Sequence, residues 1–277
     1  MTTTNIAIAS TSGHEIMLTV RTPNDNIKGI VQINTGTCIP QKIYWKFAEY
    51  MTKNGYVTIT YDYTDADNYQ SNVTHAVWLK DIESVTAFII DNYPTLKKYA
   101  VGHSSGGQFI GYTKNATAFE KIYLVACANG YVKNLSLAMR IAIFFLWKII
   151  VPFSIWKYGY MNNAAFGISG GFPKQIILEL RSWCYRPDFF TSYFEEKKIP
   201  SYYHTITAPV KAFHLADDAI ANRKSCRFIL DLYTQADKSI ETLYAADYDI
   251  KKFGHRGFFF SSAEKLLWPK FLKEMES

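Results

Sequence analysis

The sequence predicts an α/β protein: a mostly parallel, eight-stranded sheet with helices on both faces, interrupted by an inserted helical cap. Three observations carry that expectation. Short β-branched runs recur between helix-length amphipathic stretches, the rhythm of a βα-wound sheet. That rhythm stops between about 129 and 204, where the chain becomes aromatic and helical in pattern. Core-forming material is ample, because 48% of the 277 residues are hydrophobic and 19% charged, a balance that excludes disorder and low complexity.

Strands are expected at 5–9, 15–21, 29–34, 56–61, 98–102, 121–126, 209–214 and 241–248. The first two alternate around Ser12-Gly13 and read as an antiparallel edge hairpin. The later strands are separated by helices at 41–53, 77–91, 106–115, 221–234 and 262–274, and crossovers of that length enforce parallel pairing. The core domain is expected to comprise 1–128 and 206–277, with 129–205 as the cap.

Charge is unevenly spread. No Asp or Glu occurs between Glu120 and Glu179, while Lys121, Lys133, Arg140, Lys148, Lys157 and Lys174 all fall there, equalling the net charge of +6. Within this stretch Leu137 to Trp156 has the length of a membrane span. Arg140, Lys148 and Pro152 argue against a span, since a central Lys or Arg costs roughly 2.5 to 3.5 kcal/mol on insertion scales. The expected role is a cap helix buried against the core, with peripheral contact between the basic, apolar cap and a membrane as the alternative. The N-terminal stretch has no basic region followed by an apolar run, so a cytoplasmic location is expected. Cys38, Cys127, Cys184 and Cys226 are widely spaced, which fits reduced, mostly buried thiols rather than a metal site.

The chemistry is legible at Gly102-His-Ser-Ser-Gly-Gly107. It follows a strand and precedes a helix, the context that a G-x-S-x-G nucleophile elbow requires. Small residues are needed two places before and after the nucleophile, because the strained turn brings neighbouring backbone close. Ser104 has Gly102 and Gly106 there; Ser105 would have His103 and Gly107, and a His side chain does not fit. Ser104 is therefore the expected nucleophile.

A serine hydroxyl needs a base, itself oriented by a carboxylate, and on this kind of elbow the chain order is Ser, acid, His. Among the six histidines, His255 follows the late strands and lies in a loop with glycines on both sides. The acid is expected after the strand at 209–214. Asp218 is preferred there because Ile220, two places on, would anchor the loop, with Asp217 as the alternative. An oxyanion hole needs two backbone N–H groups. Ser105, at a helix N-terminus, supplies one; Thr37, in Asn34-Thr-Gly-Thr-Cys38, is expected to supply the other, unless that segment is an ordinary strand-end turn. Phe144, Trp147 and Trp156 are expected to form a substrate-binding wall in the cap.

With these residues in place the chain resembles the α/β-hydrolase superfamily over nearly its whole length, and in particular a bacterial branch known as predicted α/β hydrolases. The likeness includes Gly36 to Tyr44, Phe47-Ala48, Gly55-Tyr56, Tyr61-Asp-Tyr63, the elbow with Gly107-Gln108, Gly171-Phe-Pro173, Arg181-Ser-Trp-Cys184, Asp217-Asp218, and Gly254-His255 with Gly257-Phe-Phe259. Two departures stand at the expected pocket rim. Tyr63-Thr-Asp-Ala-Asp67 replaces a usual Arg-Gly pair after the Asp-Tyr, and Arg256 replaces a usual Phe. The resemblance implies serine hydrolase chemistry without a metal or cofactor and leaves the substrate open.

The expected function is hydrolysis of a small-molecule carboxylic ester, with a hydrophobic, lipid-like acyl group, through an acyl-enzyme. A thioesterase or acyltransferase with the same triad is the nearest alternative, and a non-catalytic binding protein keeping the fold is the alternative from another class. No nucleic-acid partner is expected.

Overall fold

The computed structural model describes residues 1–166 and 170–277. Its main sheet is built from β1 (Thr2–Ala9), β2 (Glu15–Thr22), β3 (Gly29–Asn34), β4 (Tyr56–Tyr61), β5 (Lys98–His103), β6 (Lys121–Val125), β9 (Val210–Leu215) and β10 (Lys238–Leu243). A small hairpin, β7 (Met161–Asn162) with β8 (Gly171–Phe172), lies between β6 and β9 in the chain. The sheet order is β1-β2-β4-β3-β5-β6-β9-β10. β1 and β2 pair antiparallel, β2 joins β4 antiparallel with Leu18 opposite Tyr61, and every pairing from β4 to β10 is parallel.

The central strands are buried on both faces, and their β-branched side chains suit that environment. Along β3, Val31 and Ile33 point to one core, shared with α1 (Trp45–Lys53) and α9 (Leu267–Glu276). Ile30 points to the other, shared with α2 (His75–Asn92). Gln32 bonds to α2, accepting from Thr86 O–H at 3.0 Å, and the Asn34 side-chain oxygen accepts from Tyr61 O–H of β4 at 2.6 Å.

The expected helices at 41–53 and 262–274 begin as 3₁₀ turns, α helix starting at Trp45 and Leu267, and two further elements differ. The expected helix at 106–115 is only α3 (Ser105–Gln108), followed by 3₁₀ turns at Ile110–Tyr112 and Lys114–Ala118. Glycine weakens this helix, and the end of the insert takes its carbonyls. Tyr203 O–H donates to Gln108, and Tyr202 N–H donates to Gly111 at 2.7 Å. The last strand ends at Leu243 rather than 248, because Ala245–Tyr248 coil into a 3₁₀ turn closed by Asp249 at φ 54°.

Between β6 and β9 lie α4 (Leu137–Phe145), a π turn (Leu146–Ile150) and α5 (Val151–Tyr158), followed by α6 (Lys174–Cys184) and α7 (Thr191–Glu196). The first three run on as one 22-residue helix, Leu137–Tyr158. Pro152 lacks the N–H that would bond one turn back, and the π turn absorbs that defect. The expectation that this helix is buried against the core is overturned: only 17% of its most apolar window is buried. Helix α8 (Arg223–Asp231) packs against β9 and β10. The insert is tied to α2 through Glu179, which accepts from His75 N–H at 2.9 Å, from His75 Nδ1 at 2.6 Å and from Tyr193 O–H at 2.8 Å.

Candidate active site

Ser104 stands at the end of β5 with φ 51° and ψ −124°, a conformation that costs a side-chain-bearing residue about 1–3 kcal/mol and persists only where its surroundings enforce it. Here they do. Ser104 N–H donates to Val125 in β6 at 3.0 Å. A Cβ on Gly102 would lie 2.2 Å from Gly107 Cα, and one on Gly106 would lie 2.4 Å from the carbonyl oxygens of Asn34 and Thr35. The second contact has a chemical consequence: it lets the loop after β3 lie directly against the elbow. Thr37 O–H then donates to Ser105 O–H at 2.8 Å. Among the described residues neither Thr37 N–H nor Ser105 N–H has a protein acceptor, so both remain free for an oxyanion.

His255 Nδ1 lies 2.6 Å from Asp218 Oδ2, and the Asp218 side chain is almost wholly buried. A carboxylate only accepts, so Nδ1 carries the proton and Nε2 is the basic atom. Burial by itself would raise the Asp218 carboxyl. The His255 hydrogen bond and charge, with the Ile220 and Ala221 amides, outweigh burial and hold it below its ordinary value. The anchoring differs from expectation: Ile220 is half-exposed and lines the cavity. The loop is held instead by Ile220 N–H and Ala221 N–H, which donate to Asp218 Oδ1 at 3.0 and 3.2 Å. Asp217 turns the other way and accepts from Phe253 N–H and Gly254 N–H, each at 2.9 Å. One aspartate meets the histidine and its neighbour holds the histidine's loop.

Two residues not expected at the site complete its wiring. Tyr44 O–H accepts from Gly36 N–H at 2.9 Å and lies 2.7 Å from His103 Nδ1, while His103 Nε2 lies 2.8 Å from the His255 carbonyl. A carbonyl cannot donate, so His103 carries its proton on Nε2 and Tyr44 donates to Nδ1. Burial first, and His255 second, push His103 down to about 3, so it stays neutral. The loop after β3, the residue before Ser104 and the His255 backbone thereby form one chain of hydrogen bonds. The position of His103, inside a buried strand and directly before Ser104, was the available signal.

Ser104, Thr37, Ser105 and His255 open into one cavity of about 610 Å³. Its apolar wall includes Met139, Ile143, Leu146 and Trp147 from the long helix, and Phe189. Of the three aromatics expected in that wall, Trp147 is there. Phe144 and Trp156 are not: they point outward, 52% and 80% exposed. Arg256 is the only Arg, Lys, Asp or Glu among the described lining residues, and it has no carboxylate partner among the described residues. A second hollow, of about 550 Å³ beside Tyr112 and His204, shares no residue with this one. Among the described residues no group of three or more His, Cys, Asp or Glu is arranged to hold a metal ion.

No family model and no curated protein matches the chain. Solved structures do. A thermostable carboxyl esterase from Bacillus coagulans, crystallised with glycerol, superposes with TM-score 0.66 at 12% identity, covering 100% of this chain and 98% of that one. A soluble variant of monoglyceride lipase from Saccharomyces cerevisiae, bound to a substrate analogue, gives 0.68 at 15% identity, covering 100% and 95%. Brefeldin A esterase, a bacterial homologue of human hormone-sensitive lipase, gives 0.62 at 14% identity, covering 99% and 74%. The chain is similar to these in fold, and that fold is the α/β-hydrolase fold.

Proposed function

We propose that this chain is a serine hydrolase of carboxylic esters. The observation that carries the reading is the convergence, on one apolar cavity, of a strained serine, a carboxylate-oriented histidine and two free amides. Ser104 Oγ attacks the acyl carbonyl and passes its proton to His255 Nε2. Asp218 stabilises the imidazolium. The Thr37 and Ser105 N–H groups receive the charge that develops on the carbonyl oxygen. His255 then gives the proton to the departing alcohol, and water, deprotonated by the same histidine, releases the acid from Ser104.

The cavity's size and apolar wall suit an acyl chain longer than acetyl. Arg256 suits an anionic group on the ester. Residues 129–205 serve as a cap over the nucleophile, and a lipid-like substrate would be drawn from a membrane surface. That solved ester hydrolases share the fold supports the reading. The test is a chromogenic ester series of rising acyl length. Turnover should rise beyond acetyl and vanish in Ser104→Ala; equal turnover in Ser104→Ala would refute the assignment.

A further inference from the structure

The helix Leu137–Tyr158 is two-faced in a way its apolar sequence conceals. Its inner face is occupied: Met139, Ile143, Leu146 and Trp147 line the cavity, Val151 is buried, and Ser154 O–H donates to the Tyr160 carbonyl at 3.0 Å while accepting from Asn162 N–H at 2.8 Å. Its outer face carries Leu137, Ile141, Phe145, Ile149, Phe153 and Trp156, all exposed. They recur every three or four residues, so they form a single stripe along about 29 Å of helix. A continuous apolar stripe of that length on a folded surface marks something that covers it.

We propose that this stripe seats in the plane of an anionic phospholipid bilayer. Charge selects that occupant. Lys133, Arg140, Lys148 and Lys157 are exposed on or beside the helix, none has a carboxylate partner among the described residues, and the segment from Lys121 to Leu178 contains no acid. Lys148 stands within the stripe, between Phe145 and Ile149. In a two-fold pairing of identical copies these cations would face one another, whereas anionic headgroups neutralise them. Trp156 and Tyr158 supply the amphipathic rings found at the headgroup level. The helix lies in the interface rather than across it, because spanning would strip the inner face from the cavity roof and from the Ser154 hydrogen bonds.

Docked this way, one helix separates lipid from nucleophile: outer side chains sit among acyl chains, and inner side chains roof the space above Ser104. The consequence for catalysis rests on the ester-hydrolase reading, but the docking does not. The test is flotation with phosphatidylcholine vesicles, with and without phosphatidylglycerol, at low and high salt. Wild-type protein should bind the phosphatidylglycerol vesicles at least tenfold more tightly than pure phosphatidylcholine, and salt should weaken the preference. Ile141→Ser, Phe145→Ser, Phe153→Ser and Trp156→Ser combined should lose at least tenfold in binding while hydrolysing a water-soluble short-chain ester as before. Lys148→Glu with Lys157→Glu should lose the anionic preference.

Ser104→Ala should float like wild type, so a wild-type protein that hydrolyses no ester sinks the hydrolase reading alone. The docking proposal is overturned if wild type ignores anionic vesicles or if the four-serine variant binds them equally. It is also overturned if the stripe holds together a dimer that the serine variant dissolves, or if vesicle-bound protein resists alkaline extraction as a spanning helix does.

Discussion

At the scale of single residues, the two adjacent aspartates separate orienting the His255 ring from holding its loop. Asp218 contacts the His255 ring, so Asp218→Asn should leave the fold intact and lower kcat by about 10⁴, through loss of the correct imidazole tautomer. Asp217 instead accepts from the Phe253 and Gly254 amides. Asp217→Asn should cost about 1 kcal/mol of stability and change kcat far less. Steady-state kinetics and urea unfolding on both variants check this, and a kcat loss in Asp217→Asn matching that of Asp218→Asn would transfer the role. Sequence order alone brought the choice to two neighbours; what separates them is the direction each side chain leaves the turn after β9. The aliphatic anchor expected at Ile220 is not what holds Asp218; backbone amides do the anchoring. Tyr44 and His103 form no motif in the sequence, because their hydrogen bonds join three segments far apart in the chain.

At the scale of elements, the elbow and the loop after β3 work as one unit because Gly106 leaves no Cβ between them. Gly106→Ala would put a methyl 2.4 Å from two backbone oxygens, which cannot yield as a side chain tip can. The oxyanion loop should move away, with a kcat loss on the order of the 10²–10³ seen when one oxyanion donor is removed, and about 1–3 kcal/mol less stability from overpacking. Unchanged kcat in a folded Gly106→Ala protein would disconnect the loop from catalysis. Strands β2 to β6 and β9 were legible within a residue or two because β-branched runs bounded by turns admit few other readings, whereas the short β7–β8 hairpin inside the insert was not. The long helix was legible as a helix and not as a surface. It is apolar on nearly every side, so its pattern lacks the contrast that marks a buried face, and the expected roles of Phe144 and Trp156 failed for that reason.

At the scale of the whole molecule, burial governs how the fold responds to acid. His75, His103 and His214 are all held below their ordinary pKa, chiefly by burial. The unfolded chain therefore binds more protons than the folded one below about pH 6.5, and stability falls as pH drops through that range, by up to about 1.4 kcal/mol per pH unit for each histidine kept neutral. The urea midpoint should be lower at pH 5 than at pH 7; an unchanged midpoint would mean these rings titrate in the folded state. The parallel sheet, the inserted helices and the loops after β3, β5, β9 and β10 serve together to bring Ser104, His255 and two free amides to one cavity, with Asp218 hydrogen-bonded to the histidine. The most direct test of that convergence is labelling by a fluorophosphonate, with the adduct mapped by mass spectrometry. A single adduct on Ser104, absent in Ser104→Ala and strongly slowed in His255→Ala, is the result expected. A folded wild-type protein that stays unlabelled, or that carries the adduct on another residue, would contradict the assignment of Ser104 as an activated nucleophile.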